Sequence, residues 1–418
     1  MQNNKKIDLY IAIPFYNEEK RLPDLLNSFA EAMGSFSLSM VLVNHNSTDS
    51  SLSTIKEFEN VFSELTVLEE NYPIHCGGIP RNKALNKAIE LAEINFKTYG
   101  IDAPIATVDS DTKVSKEFVN DIIRFLSYGY DVVSFPERYD QIKLLEWAKS
   151  QEEKNINIST RALIGLNFVR YSFLWGLILS DIIETRGPGG YGMYRKTWKK
   201  LHHCQPVDEE GNPVTGENNQ LGIRANRLGL KSIASPHLTV VHPRREFSSS
   251  KGDKNKGYKK NKLGSEVFSL ARELDENPIL GETEWSGYIL SGIKRAIKMV
   301  LIRAVAFNKI DNIKWWFPGN RDWLEILEET KKISSSGNYP KEEFDIVGSW
   351  IFKDIFEKVD NIIGDMAIAS LIGIIDSSIP SNSNLFEWAS NTKATIQPGS
   401  EIIEDLPNRY ISYYKEKR

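Results

Sequence analysis

Residues 104 to 115 read PIATVDSDTKVS, an apolar approach running into two carboxylates, Asp109 and Asp111, with only Ser110 between them. If ATV closes a buried strand and DSD opens the loop after it, the period of two along extended backbone turns both acids the same way, about 7 Å apart at Cα. Two acids so placed repel unless a cation sits between them. On either side of this stretch, strand-like runs alternate with helix-like ones. IDLYIAIP precedes EEKRLPDLLNSFAEAM, SMVLVNHN precedes STDSSLSTIKEFENVF, LTVLEEN precedes RNKALNKAIELAEINFKTYG, and PIATVDSD precedes SKEFVNDIIRFLSYG and DVVSFPE. Short apolar strands alternating with amphipathic helices predict an α/β unit whose mainly parallel sheet is covered on both faces. Such sheets bind ligands beyond the carboxyl ends of their strands. The polar residues Asn17, Glu18, Asn44 to Asp49, Asp109 and Asp111 all fall at those predicted ends.

A chain of 418 residues exceeds the roughly 250–300 at which a single core stops growing, so one catalytic-sized unit plus an addition is expected. Charged residues make up 26% and the net charge is -4, which excludes the strong basicity of a nucleic-acid binder. Two cysteines, Cys76 and Cys204, cannot build a disulfide framework or a four-cysteine zinc site, and they favour a reducing, cytoplasmic setting. In the opening MQNNKKIDLYIAIPFYNEE the apolar run is short and acids follow at once, so it reads as a strand rather than a signal peptide. ALIGLNFVRYSFLWGLILS, from Ala162, approaches spanning length but carries Asn167 and Arg170, so a buried pair of helices is expected there.

After Gly190 the alternation loosens, and residues 246–262, EFSSSKGDKNKGYKKNK, read as a polar loop or linker. From Leu263 the chain reads as mostly helical. Its strongest amphipathic segment, WSGYILSGIKRAIKMVLIRAVAF, carries Lys294, Arg295, Lys298 and Arg303. Those cations suit a peripheral contact with anionic lipid, although a packed helix with a solvated face is the commoner origin of such a pattern. His202, His203 and Cys204 are adjacent and lack a second half with ligand spacing, so they read as surface or packing.

The series IAIPFYNEE, VNHNSTDSS, GGIPRNKALNKAI, ATVDSDTKV, GPGGYGMYRK and GENNQLGIRANRLGLK resembles that of family 2-type glycosyltransferases with the GT-A fold. The resemblance covers about the first 245 residues. It implies a GT-A, Rossmann-like nucleotide-diphosphosugar transferase domain over 1–245, followed by the linker and a mostly helical region over 263–418. It further implies a metal-dependent hexosyltransferase that takes a nucleotide-diphosphate sugar as donor and an unidentified hydroxyl compound as acceptor. The chemistry fits, because a divalent ion held by carboxylates stabilises a leaving diphosphate as a Lewis acid. Hard Mg2+ or Mn2+ prefers such oxygen ligands. A lone DxD also arises as a solvated turn or a helix cap.

By resemblance, Asp109 and Asp111 are metal ligands, Asp111 serves catalysis, and His242 in LTVVHPRR completes the metal site. Pro14, Tyr16, Glu18, His45, Asn46, Ser47 and Asp49 would line the nucleotide pocket, together with Asp109, Ser110 and the segment carrying Gly78, Arg81 and Asn82. The family usually has Asp-Asp-Gly-Ser-Thr-Asp where this chain has Asn44-His45-Asn46-Ser47-Thr48-Asp49. Neutral histidine donates or accepts according to its tautomer, so His45 leaves the base open. Gly189 and Gly190 would let backbone approach the donor sugar, with Tyr191 stacking on a sugar face and Arg244 meeting diphosphate or an acidic acceptor. Otherwise the glycines mark a tight turn before a strand.

The late motif departs from the family. Inverting members usually show a Glu-Asp pair there, and this chain has Glu217-Asn218. Asn218 cannot take a proton, so either Glu217 is the base of an inverting reaction or the reaction retains configuration without one. Retention is slightly favoured, because the late histidine and helical C-terminal part are similar to those of retaining mannosylglycerate and glucosyl-3-phosphoglycerate synthases. A catalytically inactive sugar-nucleotide-binding protein is the alternative from another class. A nucleotidyltransferase would open on a Gly-rich phosphate loop, which IAIPFYNEE lacks.

Overall fold

Two uninterrupted apolar runs make the centre of the sheet, β1 (Leu9–Phe15) and β2 (Leu38–Asn44), and every residue of both is buried. Strands without alternation are what a sheet covered on both faces requires. They pair in parallel from Leu9 opposite Leu38 to Phe15 opposite Asn44. β3 (Glu64–Glu69) continues the parallel sheet beyond β2, and β4 (Ile105–Thr107) lies on the other side of β1. Tyr10 donates its N–H to Pro104 O at 3.0 Å on the β4 side. Pro14, an even number of residues further along, faces its nitrogen to that same side, where β4 has already ended opposite Ala12. Its missing N–H therefore costs no ladder bond.

The computed structural model describes residues 6–71, 77–135, 137–140, 143, 146, 190–201, 225, 228–235, 237, 239–241, 301, 304, 310–311 and 321–335. Past β4 come a two-residue strand, β5 (Thr112–Lys113), then β6 (Val132–Ser134), β7 (Glu137–Tyr139), β8 (Tyr191–Met193), β9 (Ser232–Ala234) and β10 (Thr239–Val241). The main sheet has seven strands in the order β3-β2-β1-β4-β8-β6-β9. β8 runs antiparallel between β4 and β6, while β9 is parallel to β6. The expected α/β architecture with a mainly parallel sheet is thus present, with β8 its antiparallel member. β10 pairs antiparallel with β5, away from the main sheet.

The helices are α1 (Leu22–Ala32), α2 (Ser51–Lys56), α3 (Gly78–Tyr99), α4 (Phe118–Ser127), α5 (Arg195–Leu201) and α6 (Arg321–Ser335). α3 presents Ala84, Leu85, Ala88, Ile89 and Ala92 to the cluster that holds Tyr10, Ala12, Val41 and Val43. Its alanines let the helix axis lie close to the sheet. It ends at Gly100, in the left-handed region at φ 73°, whose N–H bonds Phe96 O at 2.8 Å. On α4 the ring of Phe118 stacks on Phe135 at 4.2 Å and meets Phe29 edge-on at 5.6 Å. α2 is shorter than the sequence suggests. Beyond it the chain winds in tight turns, with Phe58 N–H on Ile55 O and Val61 N–H on Phe58 O, and Phe58 and Phe62 buried.

The chain divides into two compact units, one of Met1–Glu137 and Ile183–His242, the other of Arg138–Ile182 and Pro243–Arg418. In the second unit, α6 buries Trp323, Ile326 and Leu327. The expected linker at 246–262 lies outside the described residues, as does the apolar run from Ala162. The same holds for the amphipathic segment 285–307 apart from Leu301 and Ala304. Among the described residues no helix is long and apolar enough to cross a membrane.

Candidate functional site

The two acids do not sit on extended backbone. Thr112 N–H bonds Asp109 O at 3.1 Å and closes a turn through Ser110 and Asp111, so the period-of-two placement does not apply. A cation does sit beside the first acid, and the protein supplies it. The guanidinium of Arg81, 3% exposed on the first turns of α3, is ion-paired through Nη2 with Asp109 Oδ1. Its Nη1 donates to Thr107 Oγ1 at 3.1 Å, and that hydroxyl donates to Ala12 O at 2.6 Å. One buried chain of contacts thus joins β1, β4, α3 and the turn. Expected in the nucleotide pocket, the guanidinium is directed inward to β4 and Asp109. Gly78 is the first residue of α3, and Asn82 is half-buried on it.

Asp111 is 8% exposed and Ser110 is buried with it. Carboxylate oxygens at such a turn have the chemistry a hard divalent cation requires. β10 lies along β5 immediately after the turn, with Val241 opposite Thr112 and Val240 opposite Lys113.

The loops after β1 and β2 are stitched to each other. Asn17 N–H bonds Ser47 Oγ at 2.9 Å and Thr48 N–H returns to Asn17 Oδ1 at 2.7 Å. Glu18 N–H bonds Ser51 Oγ at 2.8 Å, and Ser47 N–H bonds Asn44 Oδ1 at 3.0 Å. Asn17 and Asn46 adopt positive φ of 51° and 60°, which asparagine tolerates better than most side chains. Asp49 accepts from Glu19 N–H at 3.1 Å, Ser51 N–H at 3.1 Å and Ser51 Oγ at 2.6 Å. Burial works to raise its pKa, but these hydrogen bonds outweigh it and hold the carboxyl below its ordinary value. Glu18 accepts from Arg21 at 2.7 Å. His45 is buried where β2 ends, its N–H on Phe15 O at 2.9 Å, and Tyr16, Asn46 and Ser47 are half-buried around it.

Two expectations for the glycine motif meet a different arrangement. Gly190, at φ 104°, makes its close approach to the protein itself. A Cβ there would lie 2.6 Å from Val108 Cγ1 and 3.1 Å from Thr107 O. Tyr191 is fully buried with its ring 5.4 Å from that of Trp198, a core position that offers no face to a sugar. Gly189, Glu217, Asn218, His242 and Arg244 lie outside the described residues.

One cluster escaped the sequence reading. Asp121 on α4 is wholly buried and joins Arg124, Ser235 and His237. Its hydrogen bond to His237 raises the imidazole pKa. Burial opposes that rise, and the charges of Asp121 and Glu117 support it. The only sequence signal was SPH directly after a strand-like run.

A mainly parallel sheet with acids and stitched loops beyond its carboxyl end is the α/β arrangement in which ligands bind at that end. Residues 10–187 match the model of Glycosyl transferase family 2. A relative from Aeromonas hydrophila, undecaprenyl-phosphate 4-deoxy-4-formamido-L-arabinose transferase, is 27% identical over 188 residues. That match takes in 44% of this chain and 52% of the relative, so the chain spans about half the length of the curated relative it matches. Among solved structures, residues 1–349 of S. aureus TarS with UDP align at 15% identity and a TM-score of 0.38, covering 85% of this chain and 90% of that one. Glucosyl-3-phosphoglycerate synthase from Mycobacterium tuberculosis, with Mn2+, UDP and phosphoglyceric acid, aligns at 17% identity and a TM-score of 0.34, covering 57% and 72%.

Proposed function

We propose that this protein is a metal-dependent glycosyltransferase that moves a hexose from a nucleotide-diphosphate sugar to a hydroxyl acceptor. The observation that carries this reading is the strand pair behind the acidic turn. Thr112, one peptide bond beyond Asp111, lies opposite Val241, and His242 is the residue bonded to Val241. A carboxylate and an imidazole so linked suit Mg2+ or Mn2+ at the carboxyl end of the sheet. When bound, such an ion supplies Lewis-acid stabilisation of the departing diphosphate.

The remaining roles fall to the chain. Asp109, held by Arg81, keeps the turn in place for Asp111. The stitched loops around Asn17, Ser47 and Asp49 give the donor nucleotide a preformed wall, with His45 beneath it, which limits the ordering cost of binding. The sequence match to a sugar transferase supports sugar transfer for the domain it spans. Glu217-Asn218 offers no aspartate to take the acceptor's proton, and we favour retention of configuration on that ground.

Incubating the protein with a panel of nucleotide sugars, with Mn2+ and then with chelator, tests the activity. Metal-dependent release of nucleoside diphosphate is expected. Release from no donor would leave only a binding protein, and release undiminished in chelator would sink the metal role. NMR coupling constants of the product's anomeric proton test the stereochemistry. An inverted product together with an inactive Glu217→Gln variant would make Glu217 the base of an inverting reaction.

A further inference from the structure

Asp121 stands in the first turn of α4 with 0% of its surface exposed, and three donors converge on it. Arg124 Nη2 bonds Oδ1 at 2.7 Å. Ser235 Oγ and His237 Nδ1 both meet Oδ2 at 2.6 Å. Ser235 Oγ in turn accepts the N–H of His237 at 2.9 Å, and Ser235 N–H extends the β6–β9 ladder onto Ser134 O at 2.8 Å. A charge buried this deeply persists only with such partners, and breaking one is costly.

The place of the cluster in the chain gives it a consequence. Ser235 directly follows β9, in the main sheet, and His237 precedes β10, which pairs with β5. α4 follows β5 after a four-residue connection. The segments 111–121 and 235–241 are therefore joined twice, by Asp121 at one end and by the Thr112–Val241 pair at the other. We infer that Asp121 and His237 are positioning residues for the cation site, because they pin the β9-to-β10 connection onto α4 and so fix how β10 lies along β5, one residue from Asp111. This inference rests on the metal reading above.

A donor is needed at the Nδ1 position, and the pair holds the imidazole in the form that protonates it. Loss of that donor leaves the Asp121 carboxylate short of a partner and frees the connection. Asparagine at 237 places its amide nitrogen near the same position, whereas glutamine extends to that of the far nitrogen.

Mn2+ titration of the full chain, followed by electron paramagnetic resonance, tests this on the unmodified protein and on His237→Ala, His237→Asn, His237→Gln and Asp111→Asn, each checked by circular dichroism for folding. The dissociation constant for Mn2+ is expected to rise about tenfold in His237→Ala, the scale of lost outer support for a metal site, and to return to within about twofold in His237→Asn. Should His237→Ala not fold, His237→Gln takes its place with the same expectation. Unchanged affinity in His237→Ala or His237→Gln, while Asp111→Asn no longer binds Mn2+, would overturn this inference and leave the metal reading standing. No Mn2+ binding by the unmodified protein would overturn both.

Discussion

The guanidinium of Arg81 and the carboxylate of Asp109 form an ion pair across 28 residues of chain. The arginine is almost wholly buried and the carboxylate side chain is 17% exposed, so neither is well solvated alone. Arg81→Met should therefore destabilise the protein by about 3 kcal/mol, since it strands a mostly buried acid and leaves Thr107 Oγ1 without its donor. Asp109→Asn should recover at least about 1 kcal/mol when combined with it, because the charge to be compensated has gone. Urea unfolding of both single variants and the double completes the cycle. Strictly additive losses would mean that the pair is not a stabilising unit.

Gly190 makes a sharper case, because backbone and packing both oppose a side chain there. Its φ of 104° is one that L residues rarely adopt, and a Cβ would stand 2.6 Å from Val108 Cγ1 and 3.2 Å from Phe118 Cε2. Gly190→Ala is expected to cost about 3 kcal/mol, from backbone strain and overpacking together. Gly34 adopts φ 52° with nothing within 4 Å of where a Cβ would stand, so Gly34→Ala should cost only the strain component. Equal losses in the two variants, read from thermal unfolding, would show that the packing around Gly190 yields.

Much of this architecture is written locally. LYIAIPF and LSMVLVN are apolar throughout, and such runs between helices already specify buried parallel strands. The polar residues at their ends marked the loops that the structure joins. What the sequence could not show is contact between distant residues. β8 is three residues long and enters the sheet antiparallel between strands from much earlier in the chain. Arg81 reads from the sequence as part of the nucleotide pocket, and only the sheet behind it makes it a partner of Asp109. Tyr191 followed two glycines in a motif suggestive of ligand contact, yet Trp198 on the next helix draws it into the core. The Asp121–His237 pair spans 116 residues and had no periodic signature at all.

Acid should loosen the loop wall through Asp49. Its pKa lies below the ordinary 3.8 in the folded protein, because hydrogen bonds from Ser51 and Glu19 outweigh the opposing effect of burial. The unfolded chain binds the proton more readily, so the carboxylate's contribution is fully present above pH 3.8 and is lost as pH falls through the lower folded value. Asp49→Asn is expected to cost about 1 kcal/mol at neutral pH. Urea unfolding from neutral pH downward should show the gap between variant and unmodified protein narrowing only below the ordinary carboxylate range. A gap that stays constant into strong acid would assign the cost to shape rather than charge.

The two acids of the turn should separate by function. Asp109 is committed to Arg81, whereas Asp111 stands at the end of the turn where β5 meets β10. If Asp111 holds the divalent ion, Asp111→Asn removes a charged ligand while preserving volume. Turnover should then fall by at least about 100-fold, the scale lost with one key electrostatic stabiliser. Asp109→Asn should instead lose stability through the stranded guanidinium and keep a measurable response to Mn2+. Thermal unfolding with and without Mn2+, beside donor turnover, reads both quantities for both variants. Full activity of Asp111→Asn, or loss of the Mn2+ response in Asp109→Asn alone, would move the metal from the second acid to the first.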